Sequence, residues 1–353
     1  MASVWHNPLR AATRKLKAGT APYGQPPTGR VSSSPLSRAL QHGDIPFKVV
    51  IALSSLSLLA LMASVGVMLW LRSDPTRAAD GWSFITTTTW NPVGEVFGAA
   101  PFIVGTLTTS LVAVLIALPL GLGIAIFLAE LCPIQLRTLI GFMVELLAAI
   151  PSVVYGAWGI FVFIPQFVTP LGHWLMNIFG NPNRFPYLPI FQGPFFGASS
   201  LAAGLILAVM ILPTISAISR DVLLAVPRAQ REAALALGST EWETIWQVVL
   251  PYGLSGILGA VILGLGRALG ETMAVTMVIG NVAQLTTSLL SPAYTMASVI
   301  ANEWGESRTA LYGSALIEIG LLLFIMSLLL NIIARLLVWS VARKTPDAGG
   351  GRA

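Results

Sequence analysis

The sequence predicts an all-α polytopic membrane protein with six transmembrane helices, and two observations predict it. The 353 residues are 55% hydrophobic and only 10% charged, where a soluble domain carries about 25% charge. A deficit that large cannot be hidden in one water-facing core, so lipid is the solvent for most of the chain. Apolar runs long enough for the roughly 20 residues that a tilted helix needs then recur six times, at 47–71, 102–128, 139–164, 197–218, 253–279 and 311–339. The runs show no internal repeat, which gives an inverted-repeat carrier no support.

Taken in order, residues 1–46 are polar and rich in Pro, Gly and Ser, with Asp44 as their single acid. They read as a disordered cytoplasmic tail, although an Arg-rich, Ser-rich, acid-poor stretch also suits a transit peptide. No signal peptide precedes the first span, 47–72. The segment 73–100 is aromatic and moderately polar, and 165–196 carries Trp174, Asn177, Asn181, Tyr187 and several prolines. Both read as outer-face segments with short structured elements and interfacial aromatic anchors. Residues 101–341 form a core holding the other five spans, and 342–353 a second tail.

Lys and Arg set the orientation. Fifteen lie on one side: seven up to Lys48, then Arg137, Arg220, Arg228 and Arg231, then Arg335, Arg343, Lys344 and Arg352. Four lie on the other: Arg72, Arg77, Arg184 and Arg308. This bias places both termini and the connection holding Arg228 in the cytoplasm. It also explains the net charge of +5 without a nucleic-acid partner. The one cysteine, Cys132, excludes a disulfide framework or a Cys metal cluster. His6, His42 and His173 are scattered, and no His/Asp/Glu cluster suggests a membrane enzyme or metal site.

Charge inside the membrane is where chemistry is expected. Arg267 and Glu271 sit near the middle of the fifth run, in Gly264-Leu-Gly266-Arg267-Ala-Leu-Gly270-Glu271-Thr272. An arginine at the bilayer centre costs about 2.5–3.5 kcal/mol on insertion scales. Spaced i,i+4 on a continuous helix, the two side chains share a face. Two readings stand. The pair neutralises itself and only permits burial, or Arg267 offers its forked donors to an oxyanion in a pore while Glu271 positions it. The glycines at 264, 266 and 270 allow close approach of a helix or substrate. Glu145 and Glu318 are also placed inside runs, as functional or packing carboxyls. Pro119, Pro151 and Pro213 bend their helices.

Between two apolar runs the chain reads Glu232-Ala233-Ala234, three residues, Gly238, nine residues, Val248-Val-Leu250-Pro251. A short charged helix-turn-helix there is a surface for a soluble partner. It resembles the EAA loop of ABC importer permeases, with Val248 where that loop has Ile. The run Glu145-Leu-Leu-Ala-Ala-Ile-Pro151-Ser152-Val-Val-Tyr155-Gly156 and the run Gly266 to Thr276 extend the likeness. Together they resemble the PstC-type permeases of phosphate ABC importers over about residues 47–341. Met273-Ala274 after Gly-Glu-Thr separates this chain from the PstA type.

The resemblance implies a type I ABC importer permease fold in which six helices move inorganic phosphate inward. It implies three partners: a PstA-type permease, a PstB-type ATPase dimer and a PstS-type periplasmic binding protein. It puts Arg267, Glu271, Thr272 and Glu145 on the substrate pathway. It puts Glu232, Ala233, Ala234, Gly238, Leu250 and Pro251 in ATPase coupling. No P-loop occurs, so the chain is expected to be no enzyme and to hold no cofactor, with ATP bound by the partner. The alternatives are a permease for sulfate, molybdate or phosphonate, and a self-sufficient channel or carrier.

Overall fold

A computed structural model describes residues 44–182, 187–193 and 195–342. The expected tails therefore lie outside the described residues up to 43 and from 343. The chain divides into two compact units, 1–63 and Ser64–Ala353. In the first, the described part is the start of a helix that begins at Asp44, inside the tail expected for 1–46. The second unit holds the remainder of that helix and the other described elements.

Among the described residues, six helices are long and apolar enough to cross a membrane: Ile45–Arg72, Ala100–Leu131, Ser152–Phe179, Ser200–Leu224, Glu241–Gly270 and Ala310–Ser340. Among the described residues, extended pairing is confined to two isolated bridges, Asn91 with Val96 and Gly280 with Ala293. Three spans contain a widened π turn, at Phe127–Leu131, Gly159–Val168 and Ile245–Val249. The segment 73–100 forms two short helices, Asp74–Asp80 and Ser83–Thr86.

Two spans differ from the sequence expectation. The third runs from Ser152 to Phe179, not over 139–164. Pro151 removes an N–H and forces the residue before it out of the helical region, and Ile150 is accordingly extended at ψ 128. The preceding residues form a separate connecting helix, Ile134–Ala149. His173 consequently falls within a span. The fifth starts at Glu241 and stops at Gly270 instead of covering 253–279. Hydropathy reads straight through both breaks because the residues on either side are equally apolar.

The fourth span, Ser200–Leu224, is the most buried of the six. Its Ile206, Leu207, Met210, Ile211 and Ile215 are closed off completely, packed between the second and fifth spans. Lipid tails are as apolar as these side chains, so the association rests on close van der Waals packing rather than on escape from water. Small residues provide that closeness. A Cβ on Gly204 would lie 2.5 Å from Val112, and one on Gly264 would lie 3.0 Å from Ile215.

Two satellite cores flank this centre. One joins Phe84, Phe97 and Phe102 to Tyr294, Met296, Tyr312 and Leu316. Inside it, the Trp90 Nε1 and the Tyr312 hydroxyl both donate to Glu303 Oε2, at 2.8 and 2.7 Å. The other joins Ala125, Leu223, Val226, Ile245, Val249 and Leu250, where the second, fourth and fifth spans meet the loop.

Gly105 in the second span lies against backbone: a Cβ there would come within 2.2 Å of the Tyr294 carbonyl oxygen. Overpacking of this kind costs about 1–3 kcal/mol. Gly105→Ala should lower the apparent Tm of the detergent-purified protein, while Gly123→Ala, with nothing near its Cβ, should not. Equal Tm for the two variants would refute the close approach.

Candidate functional site

The fifth span ends inside the apolar part of the chain, and its end builds the site. Glu271 leaves the helix with an extended backbone, φ −70 and ψ 127. Its Oε1 accepts from the Ala274 N–H at 3.3 Å and so caps the short helix Met273–Val278. Thr272 donates its hydroxyl to the Gly270 carbonyl at 3.3 Å, and the Thr276 N–H and hydroxyl close on the Thr272 carbonyl. The chain then turns back through Gly280 and Asn281, both left-handed at φ 96 and 54.

Backbone groups released by this break are taken up by protein. Ser199 and Ser200, at the start of the fourth span, donate their N–H groups to Val278 and Ser291. Ala293 donates to Ile279, and Val282 to Ala293. Non-helical backbone at membrane depth persists only where it is buried in protein or lines a water-filled cavity. The segment from Glu271 to Thr295 meets the first condition along its Ser199 side.

Arg267 occupies the last turn before the break. It lies seventeen residues beyond Leu250, roughly 26 Å along the helix at 1.5 Å per residue. It is half-buried and makes no ion pair; the pairs among the described residues are Arg77–Asp74, Arg220–Glu145, Arg220–Asp221 and Arg231–Glu130. The expected i,i+4 sharing of a face with Glu271 does not occur, because Glu271 is no longer on the helix. Tyr155, buried at the start of the third span, is near enough to feel the Arg267 charge. It is anchored by donating its hydroxyl to the Leu147 carbonyl at 2.7 Å. Gly266 and Gly270, on either side of Arg267, have nothing within 4 Å of their Cβ positions. Only Gly264 of the three glycines meets another helix of this chain.

Glu145 lies elsewhere. It is exposed on the connecting helix and pairs with Arg220 of the fourth span at 3.1 Å. Glu318 lies near Arg77 and Asp80 of the segment 73–100.

The loop is built as a helix, a left-handed turn and a second helix. Arg228–Ala236 ends at Gly238, whose φ of 92 only glycine adopts freely, and the Gly238 N–H reaches the Leu235 carbonyl at 3.0 Å. Thr240 and Glu243 then form a reciprocal capping box at the start of the fifth span. Glu232 and Ala233 are exposed. Ala234 is buried against the chain itself, so it is this face of the helix that closes onto its own protein. Leu250 belongs to the core beneath, and Pro251 sits exposed in the first turn of Leu250–Gly270. Outward-facing apolar groups surround the turn: Leu235, Leu237, Trp242 and Trp246, with Leu237 89% exposed.

Arg231 is the residue that sequence reasoning passed over. Its Nη2 bridges Glu130 of the second span at 2.8 Å and the Leu223 carbonyl of the fourth at 2.7 Å, and its Nη1 reaches the Val226 carbonyl. One guanidinium thus clamps the loop helix to the ends of two spans. Its only sequence signal was an arginine preceding the Glu-Ala-Ala triplet.

The family of binding-protein-dependent transport system inner membrane components matches residues 121–344. The phosphate transport system permease protein PstC of Pasteurella multocida is 49% identical over 284 residues, covering 80% of this chain and 88% of the relative. PstC of Mesorhizobium japonicum is 44% identical over 320 residues, covering 90% and 97%. Among solved structures, a bacterial ABC transporter that imports alginate aligns over 87% of this chain and 99% of its own, with a TM-score of 0.56 at 15% identity, which speaks for the fold. The same kind of transporter bound to an alginate-loaded periplasmic protein aligns over 88% and 99%, again at 0.56 and 15%. With its six apolar helices and its loop between the fourth and fifth, the chain belongs to the binding-protein-dependent transport system inner membrane component family, within the group of PstC permeases.

Proposed function

We propose that this chain is one half of the membrane pathway of an ATP-driven importer that carries inorganic phosphate into the cytoplasm. The observation that carries the reading is Arg267: a guanidinium at a broken helix end, without an acid to neutralise it. A planar fork of donors suits an oxyanion, and an open positive charge lowers the barrier to one. Glu271 and Thr272 hold the break in shape beside it. Glu145 serves in its pair with Arg220, where the connecting helix meets the fourth span. The second wall of the pathway is a PstA-type permease, and a PstS-type periplasmic protein delivers the anion.

Coupling runs through the loop. A PstB-type ATPase dimer binds ATP, and its groove receives the exposed side of Arg228–Ala236 with Glu232, Ala233 and the apolar rim at Leu237 and Trp242. Ala234, Gly238, Leu250 and Pro251 act from behind, seating and shaping the loop. Arg231 passes its displacement to the second and fourth spans. The basic bias puts this loop and both termini in the cytoplasm.

Arg267→Gln should lower phosphate uptake roughly ten- to a hundredfold, the effect of losing charge-assisted hydrogen bonds worth about 1.5–3 kcal/mol, while the complex still assembles. Arg267→Lys should remain impaired because a point charge lacks the fork. Uptake of radiolabelled phosphate, with sulfate and molybdate as competitors, in cells lacking other phosphate transport checks both. Wild-type uptake by Arg267→Gln, or inhibition by sulfate as strong as by phosphate, would sink the cargo assignment.

At the loop, Leu237→Asp should release the ATPase from the purified complex. Arg231→Gln should keep the ATPase bound yet lose stimulation of hydrolysis by the loaded binding protein. Normal stimulation in both variants would show that force travels by another route. Leu237→Cys on a Cys132→Ala background should resist membrane-impermeant thiol reagents in intact cells, and labelling there would invert the topology.

A further inference from the structure

Beside the outer-face helix Asp74–Asp80 lies a cavity of about 410 Å³, separate from the site at Arg267. One end of it is charged and the other is apolar. Glu318, in the third turn of the sixth span, is 6% exposed, and its Oε2 has no partner. Arg77 lines the same end. Its guanidinium lies over the Trp70 ring at 3.7 Å, and its Nη2 binds Asp74 at 3.2 Å and the Trp70 carbonyl at 2.7 Å, yet its buried Nε has no acceptor. Asp80, close enough to act on Glu318 electrostatically, leaves its Oδ2 unpaired as well. The other end is walled by Ile85, Leu321, Leu322 and Ile325.

Two residues lining this corner, Glu318 and Arg77, each leave a buried polar atom unsatisfied, and Asp80 leaves another within electrostatic reach of Glu318; such atoms are costly without a ligand. The unmet demand is specific. Two carboxylate oxygens call for a donor carrying positive charge, and the Arg77 Nε–H calls for an acceptor carrying negative charge. The apolar wall continues down the sixth span from Leu321 to Ile325, the direction in which an acyl chain would lie. Charge at one end, hydrocarbon at the other and a place at the edge of a span together describe a phospholipid. The two carboxylates choose among headgroups, because a primary ammonium has N–H donors for them whereas a quaternary ammonium has none.

We propose that this cavity is a binding site for a phospholipid with a primary ammonium headgroup, phosphatidylethanolamine, whose ammonium is held by Glu318 and Asp80 and whose phosphate is held by Arg77. The site is independent of the cargo and of the loop. It joins the end of the first span to the sixth through a lipid, at a corner where the protein leaves its own polar atoms unmatched.

Native mass spectrometry of the whole transporter complex, titrated in turn with phosphatidylethanolamine, phosphatidylcholine and phosphatidylglycerol of identical acyl chains, tests it. The wild type should retain one phosphatidylethanolamine at least tenfold more tightly than phosphatidylcholine. Glu318→Gln should remove that preference while leaving phosphatidylcholine binding as it was. Arg77→Gln should weaken retention of all three lipids, since all present a phosphate. Leu321→Trp, which fills the apolar end, should abolish the retained lipid without touching the charges, and it keeps the test open if either charge variant fails to assemble. Equal retention of phosphatidylethanolamine and phosphatidylcholine by the wild type, or preference for phosphatidylglycerol, would overturn the proposal. So would a crosslink from Trp82 or Leu321 to another protein subunit in place of lipid.

Discussion

A backbone that abandons its helix within a membrane must place every N–H and C=O against other protein, because hydrocarbon accepts none of them. That constraint organises this molecule. The fifth span stops at Gly270, and the twenty-odd residues after it are folded back onto the start of the fourth span, with Ser199 and Ser200 receiving them. The fourth span must therefore sit at the centre, and it is the most buried of the six. Thr106 of the second span completes the arrangement by accepting the N–H of Met296, the first residue of the helix that ends the folded-back segment. Packing, capping and the position of Arg267 all follow from keeping that break sealed on one side.

Charge is distributed by the same logic. At the loop end, Arg220 and Arg231 are tied to Glu145, Asp221 and Glu130. These pairs are partly exposed, so their worth lies in geometry more than in energy. They hold the loop helix and the connecting helix to the spans. Arg267 is the contrast: it has a rigid neighbour in Tyr155 but takes part in none of the ion pairs among the described residues. The arginines of the loop end are neutralised, and this one is left open.

Much of this was legible in the sequence, and the rest was hidden for physical reasons. The number of spans follows from apolar length alone. The loop follows from the spacing of Glu232, Gly238 and Pro251, and Gly238 indeed stops its helix in a left-handed turn. Arg267 stands out because a cation within an apolar run is costly. Pro151 marks a bend in the sequence, but that the bend is a full break was not legible, nor was the break at Glu271, since hydropathy is blind to backbone conformation when both flanks are apolar. Spacing alone put Arg267 and Glu271 on one face, and it does so only while the helix continues. The inward face of the loop helix, with Ala234 buried and Arg231 clamped, was not legible because it depends on contacts such as those of Arg231 with Glu130 and Leu223, distant in sequence.

During synthesis, Arg267 has to enter the bilayer with no acid at ion-pairing distance to lighten it. The apolar stretch Leu250–Leu265 carries it in, and the three glycines around it contribute little to that pull. The newly made chain thus carries a half-buried guanidinium at a broken helix end, and the cost of inserting it falls on the apolar residues that precede it.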